Sequence, residues 1–259
     1  MHALIAAACL LLAWPLAPAF AAQEPEAAES AEAAADRWFL AVGGGLLQTA
    51  DSPSGSFAFD HGLFGSEQGE FDADYAGGDA SLYELSIGTR LRGRLGLGLA
   101  WSRSSLSEEA GVAGRLPHPF LFGTPRTVEG TARGLSRDET ALHLSLRWLI
   151  RDGDRFQFAL FGGPTQIDLD YELATAVAFD QTYPFDTATF AGVERLEQSA
   201  DAIGFHAGLD LVRYMNDTVG VGGVLRYSSA SIDLDAPDGG SIGVDGGGLQ
   251  IVVDLRFRF

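Results

Sequence analysis

The sequence predicts an all-β protein, an eight-stranded antiparallel up-and-down transmembrane β-barrel. Three observations predict it. From residue 37 onward, apolar residues alternate with polar or small ones in eight separate segments, the period of a strand with one apolar face. The connections between those segments alternate strictly between tight turns and long stretches. Beyond the first twenty or so residues, no apolar run approaches the roughly 20 residues that a membrane helix needs.

The chain opens on an apolar run from Ala3 to Ala13, followed by Trp14-Pro15 and by Ala19-Phe20-Ala21, a small-x-small cleavage pattern. Residues 1–21 are therefore expected to be a signal peptide, cut after Ala21. Its positive region is reduced to His2 and the amino terminus, but the run is too short to serve as a spanning anchor. Cys9 is the one cysteine. It follows Ala6-Ala7-Ala8 too early in the run for a lipoprotein acylation site, so the processed chain is expected to carry no thiol chemistry. Residues 22–36, almost entirely Ala and Glu, read as a short acidic periplasmic tail with no assigned chemistry. Residues 37–259 are the barrel domain. A net charge of −18 argues against a nucleic-acid partner, and all 17 basic residues are Arg.

The expected strands are each about ten residues long, the length of a tilted bilayer crossing. The first carries Trp38, Leu40, Val42 and Leu46; the second Tyr83, Leu85, Ile87, Thr89 and Leu91; the third Leu95, Leu97, Leu99 and Trp101. In the fourth, Leu142, Leu144, Leu146, Trp148 and Ile150 oppose His143, Ser145 and Arg147. The fifth starts on Phe156, Phe158 and Leu160 and then shifts phase, so that Ile167, Leu169 and Tyr171 are the apolar set. A bulge at Gly162-Gly163-Pro164 is the expected cause. The sixth sets Ile203, Phe205, Ala207, Leu209 and Leu211 against Gly204, His206, Gly208 and Asp210. The seventh sets Val219, Val221, Leu225 and Tyr227 against Gly220, Gly222, Val224 and Arg226. The eighth alternates Leu249, Ile251, Val253, Leu255, Phe257 and Phe259 with Gln250, Val252, Asp254, Arg256 and Arg258.

Tight turns are expected at Arg92-Gly93-Arg94, at residues 151–155 and at Met215-Asn216-Asp217, where Gly and Asn/Asp supply hairpin geometry. Long loops are expected at about 50–80, 103–139, 172–200 and 232–246. Membrane barrels place short turns in the periplasm and long loops outside, so both termini are expected to be periplasmic. Trp38, Trp148, Tyr214, Phe257 and Phe259 are placed as one interfacial girdle, and Tyr83, Trp101 and Tyr227 as the other. Phe57, Phe59, Phe64, Phe71, Phe120 and Phe122 are unusual for exposed loops and point to loops that pack together or meet a partner.

The segment from Gly247 to Phe259 resembles the closing strand of the small outer-membrane barrels, the superfamily of the OmpA transmembrane domain, OmpX, OmpW and the opacity-like proteins. The opening Arg37-Trp38-Phe39-Leu40-Ala41-Val42-Gly43-Gly44-Gly45 is similar to the first strand of the opacity-like members. The resemblance implies a multi-pass barrel in the outer membrane of a Gram-negative bacterium, with lipopolysaccharide as surrounding lipid. It also implies that Phe259 belongs to the signal read by the barrel-assembly machinery. A monomer is expected. The resemblance covers residues 37–259 in architecture and fixes no function, because the superfamily hosts many.

Eight strands enclose a lumen just wide enough for side chains to fill. The inward face offers Glu84, Arg90, His143, Arg147, His206, Asp210, Arg226, Gln250, Asp254 and Arg256, expected to form a charged network that largely plugs the barrel. Inward glycines are expected to make room for the Arg side chains. His143 and His206 suit a metal site or a proton relay as well as a hydrogen-bond network, and the network is the favoured reading. No metal or cofactor is assigned. A structural or surface-interaction role is expected first, and a narrow channel for small or hydrophobic solutes, as in OmpW, second. A lipid A-modifying enzyme ranks third, because both strand histidines face the lumen and His61 and His118 lie in loops without a Ser-His spacing. Asp168, Asp170 and Glu172 read as solvated rim carboxylates. The acidic first loop would suit divalent cations and the Arg115, Arg126, Arg133 and Arg137 cluster lipopolysaccharide phosphates, but solvated loops with no specific ligand are the favoured reading.

Overall fold

Period-two alternation runs from residue 38 to the last strand, and the structure, a computed structural model, is built from strands throughout. It describes residues 38–49, 54–60, 68–235 and 241–259, so the expected signal peptide and acidic tail lie outside the described residues. Ten strands form: β1 (Trp38–Thr49), β2 (Ser54–Asp60), β3 (Gln68–Ala76), β4 (Asp79–Arg92), β5 (Leu95–Leu116), β6 (Arg126–Asp152), β7 (Phe156–Gln181), β8 (Ala188–Tyr214), β9 (Val219–Asp235) and β10 (Ser241–Arg258). β1, β4, β5, β6, β7, β8, β9 and β10 pair antiparallel in that order, and β1 pairs back onto β10, which closes an eight-stranded ring. At the short-turn end, Trp38 and Phe259 exchange backbone hydrogen bonds of 3.0 Å in both directions.

Within the ring, the apolar set of every strand points outward. Leu142, Leu144, Leu146, Trp148 and Ile150 of β6 are exposed, as are Leu249, Ile251, Val253, Leu255 and Phe257 of β10. Between them stand His143, Ser145 and Arg147 on β6 and Gln250, Asp254 and Arg256 on β10, all buried. A stretch of that length on a tilted strand gives a belt about 25 Å tall, the height of the apolar band of a membrane barrel.

The strands continue far past the belt, and here the sequence reading needs correction. β6 and β8 each have 27 residues rather than about ten, roughly 90 Å of chain at strand rise. Most of the expected long loops are strand extensions, two of them closed by turns at 117–125 and 182–187. The first expected loop is a hairpin of β2 with β3, and β3 continues the pairing of β4 along β5 from Ala76↔Glu109 to Glu70↔Arg115.

The reason is that the two faces exchange roles at the top of the belt. Above it water surrounds the sheet, so apolar side chains turn inward. Phe71, Tyr75, Val112, Leu135, Leu169, Tyr171 and Ile232 join one buried cluster. On β7 the pairing with β8 runs unbroken through Gly162↔Ala207, Gly163↔His206 and Pro164↔Phe205, so the expected bulge there is absent. What looked like a phase shift is a change of surroundings: odd residues face inward on both sides of Gly163, polar or small inside the belt except for Phe161, and apolar above it. Phe71 is likewise buried in that cluster, whereas Phe57, Phe59 and Phe64 lie outside the described side chains. A bulge does occur on β6, between the partners of Glu108 and Glu109, where Gly134 takes φ 70°, a left-handed conformation that suits glycine.

Above the belt the ring opens. Pairing of β8 with β9 stops at Phe205↔Ser229, and that of β1 with β10 at Thr49↔Gly248. The upper part of the β9–β10 hairpin is held instead by its buried Ile232, Leu234 and Val244 and by two side chains of β6. Glu139 accepts a hydrogen bond from the Gly247 amide at 3.0 Å, and Arg137 donates to the Asp245 carbonyl at 3.0 Å. Together they bind one donor and one acceptor of β10, as a neighbouring strand would.

Candidate functional site: the closed lumen

Parity along each strand decides which side chains enter the lumen, and small residues on facing strands decide whether they fit. A Cβ at Gly98 would lie 3.3 Å from Cδ of Arg147, and one at Gly222 would lie 2.5 Å from Oδ1 of Asp254. Aromatic rings need the same relief: a Cβ at Gly88 would lie 2.2 Å from the ring of Phe39, and one at Gly208 would lie 2.6 Å from that of Phe161. The inward glycines therefore accommodate two phenylalanines as well as the charged side chains.

Nearest the short-turn end of the lumen, Asp210 Oδ2 accepts from Arg147 Nη2 and, at 2.6 Å, from Arg256 Nη1. Arg256 Nη2 also donates to Asp254 at 3.2 Å. Phe39 stacks against both guanidinium groups, each 4.6 Å from its ring centre, an arrangement that favours cations held out of water. One layer up, Arg226 donates to Glu84 at 2.7 Å and to Gln250 at 3.0 Å, beside the ring of Phe161. Gln250 donates onward to Ser228 at 3.2 Å. Three guanidinium groups (Arg147, Arg226, Arg256) thus face three carboxylates (Glu84, Asp210, Asp254), and the two layers are balanced in charge. Balance matters because an unmatched ion in a low-dielectric interior is costly by several kcal/mol.

Above these lies an imidazole layer. The rings of His143 and His206 meet edge to face with centroids 4.9 Å apart. Thr165 Oγ1 pairs with His143 Nδ1 at 2.7 Å and lies 3.3 Å from the Leu142 carbonyl, and His143 Nε2 pairs with Ser102 at 3.3 Å. Ser145 pairs with His206 Nε2 at 3.0 Å. These hydroxyl–imidazole pairs face the lumen, behind the strand wall. Among the described residues no group of three His, Cys, Asp or Glu converges as metal ligands would. Asp168 and Asp170 point outward into solvent above the belt, with Asp170 accepting from Ser199 at 2.5 Å, and Glu172 lies beside Arg195 at 3.6 Å.

Two expected placements are corrected. Arg90 does not join the lumen network; it pairs with Asp152 at the short-turn mouth, where the β4–β5 register shifts between Arg90 and Arg92. Tyr214 is not an interfacial anchor. Its ring is buried inside the barrel under the Arg258 guanidinium, 4.0 Å away, and Arg258 also donates to the Asp217 carbonyl at 2.6 Å. Phe39, Phe161, Ser102, Thr165 and Ser228 are not singled out from sequence, although each stands at an inward parity position. Two cavities flank the Phe39 layer, of about 60 Å³ toward the mouth and about 20 Å³ toward Arg226. The smaller holds no more than about one water.

An apolar belt outside and a hydrogen-bonded ionic interior invert the plan of a soluble protein. The chain folds as a small transmembrane β-barrel. No family model matches this barrel, and no curated protein does. Among solved structures the barrel is similar to the outer membrane protein OprG from Pseudomonas aeruginosa, at 12% identity and a TM-score of 0.47, over 87% of this chain and 97% of that one. It is also similar to the outer membrane protease OmpT from Escherichia coli, at 10% identity and a TM-score of 0.45, over 87% and 98% of the two chains. A third similarity is to Ail, the attachment invasion locus protein of Yersinia pestis, at 9% identity and a TM-score of 0.37, over 87% and 99%. The likeness is confined to architecture.

Proposed function

We propose that this chain is an integral outer-membrane barrel of a Gram-negative bacterium with a structural or surface-interaction role, its lumen closed to solutes. The observation that carries the closure is the Arg147–Asp210–Arg256 cluster stacked on Phe39: each acid has a cation, and each layer spans the lumen from wall to wall. The long-hairpin end, with its apolar inside and polar outside, reads as a domain standing in water beyond the membrane. Short turns and both termini then face the periplasm. Residues 1–21 act as a signal peptide and residues 22–36 as a periplasmic tail. Phe259, on the last strand, is recognised by the barrel-assembly machinery, and lipopolysaccharide surrounds the belt.

The two cavities beside Phe39 support one alternative, a narrow channel that opens when the Arg147 side chain moves. Swelling of proteoliposomes in sugars of graded size separates the two readings. The closed barrel predicts swelling no faster than in protein-free liposomes; size-dependent swelling would establish the channel.

A further inference from the structure

The tips of the β5–β6 and β7–β8 hairpins meet at the end of the barrel farthest from the short turns. Phe120, Leu121 and Phe122 are consecutive and all exposed, at 67%, 52% and 74%, and Tyr183 beside them is 84% exposed. Three neighbouring side chains are exposed together only where the chain projects, so this is a knob rather than a groove. The ring of Phe120 lies 5.5 Å from that of Phe185, and Phe185 lies 6.0 Å from Tyr183, which joins the two tips.

Beneath the knob is a buried polar scaffold. His118 accepts at Nδ1 from the amides of both Phe120 and Leu121, each at 3.1 Å. The buried Arg126 donates to the carbonyls of Pro117 and Phe185, both at 3.0 Å, and to Gln181 at 2.8 Å. Two amides of the tip are thus satisfied internally and can enter an apolar phase without the penalty of an unpaired donor. A convex knob suits a deformable phase. The buried cation beneath it, Arg126, is turned inward onto carbonyls, whereas Asp186, 3.7 Å from His118, is exposed, so an anionic surface is disfavoured. The knob stands at the opposite end of the barrel from the belt's short turns, beyond reach of the membrane that the barrel spans.

We infer that the Phe120-Leu121-Phe122 knob inserts into a second, apposed lipid surface of zwitterionic composition. This rests on the proposed orientation, with the long hairpins outside the cell. The test uses the full chain in nanodiscs, floated with phosphatidylcholine vesicles and compared with empty nanodiscs. The wild type co-floats, and the double variant Phe120→Ser/Phe122→Ser, with its heat-modifiable mobility intact, loses about tenfold or more of that binding, as the removal of two burying rings requires. A dye sensitive to polarity on Phe122→Cys shifts to the blue when these vesicles are added.

The proposal is overturned if the wild type does not float, if the double variant floats equally well, or if the dye does not shift. Stronger binding to phosphatidylglycerol vesicles also overturns it, as does knob-dependent pairing of the nanodiscs with one another, which would make the knob a contact between copies. Labelling of Phe122→Cys by an impermeant maleimide on intact cells tests the orientation separately. Its failure would remove that reading while leaving the vesicle result standing.

Discussion

Asp210 is the single acceptor shared by Arg147 and Arg256, and its loss leaves two buried cations facing each other. Asp210→Ala is expected to destabilise the barrel by about 3–5 kcal/mol, the cost of orphaning a buried ion, read as a lower urea midpoint in lipid vesicles. Glu108 makes a second, independent case outside the membrane. It is buried beside Tyr171, whose hydroxyl donates to it at 2.6 Å, and burial pushes its carboxyl pKa up. Tyr75 on β3 and Arg137 on β6 also interact with it electrostatically within the apolar cluster. The folded state then holds a proton that the unfolded state releases, so stability falls as pH rises from the ordinary carboxylate range through the raised pKa. Thermal unfolding against pH should show that decline in the wild type and a flatter profile in Glu108→Gln. Of the lumen residues, the charged ones were legible because an Arg or Asp that alternates with a lipid-facing apolar set has only the lumen to point into. Phe39 and Phe161 were not, because an aromatic residue in a greasy strand reads as part of the lipid face unless parity is tracked residue by residue.

At the scale of elements, the eight belt segments were legible and their extensions were not. A search for outward apolar residues stops where the membrane stops, since beyond Thr140 on β6 or Gln166 on β7 the apolar set passes to the other face. The same alternation continues, but its meaning inverts with the solvent. The apparent bulge at Gly162-Gly163-Pro164 was that inversion seen in one dimension. Gly163 is there for another reason: a Cβ would lie 2.0 Å from the Leu144 carbonyl oxygen, so β6 and β7 meet only if it is glycine. Among the described residues the upper β9–β10 hairpin has no flanking strand partner, and Arg137 and Glu139 bind its backbone. The double variant Arg137→Ala/Glu139→Ala is expected to speed amide exchange at residues 243–247 by about tenfold or more, since each lost hydrogen bond is worth about 1 kcal/mol or more. The belt strands should keep their protection. Equal acceleration in belt and hairpin would show that the hairpin is not held separately.

For the whole molecule, one chain is built on two opposite plans stacked end to end: a polar interior where lipid surrounds it and an apolar interior where water does. The proposed closure rests on the charge-balanced layers of the lower part, with an ordinary apolar core above them among the described residues. The most direct measurement is conductance of the refolded protein in a planar bilayer, alongside the double variant Arg147→Ala/Arg256→Ala, which removes both guanidinium groups from Phe39. A closed barrel predicts a silent wild type. The upper apolar core should keep the variant silent or nearly so. Discrete conductance steps in the wild type, enlarged in the variant, would contradict the account and make the arginine layer the constriction of a channel.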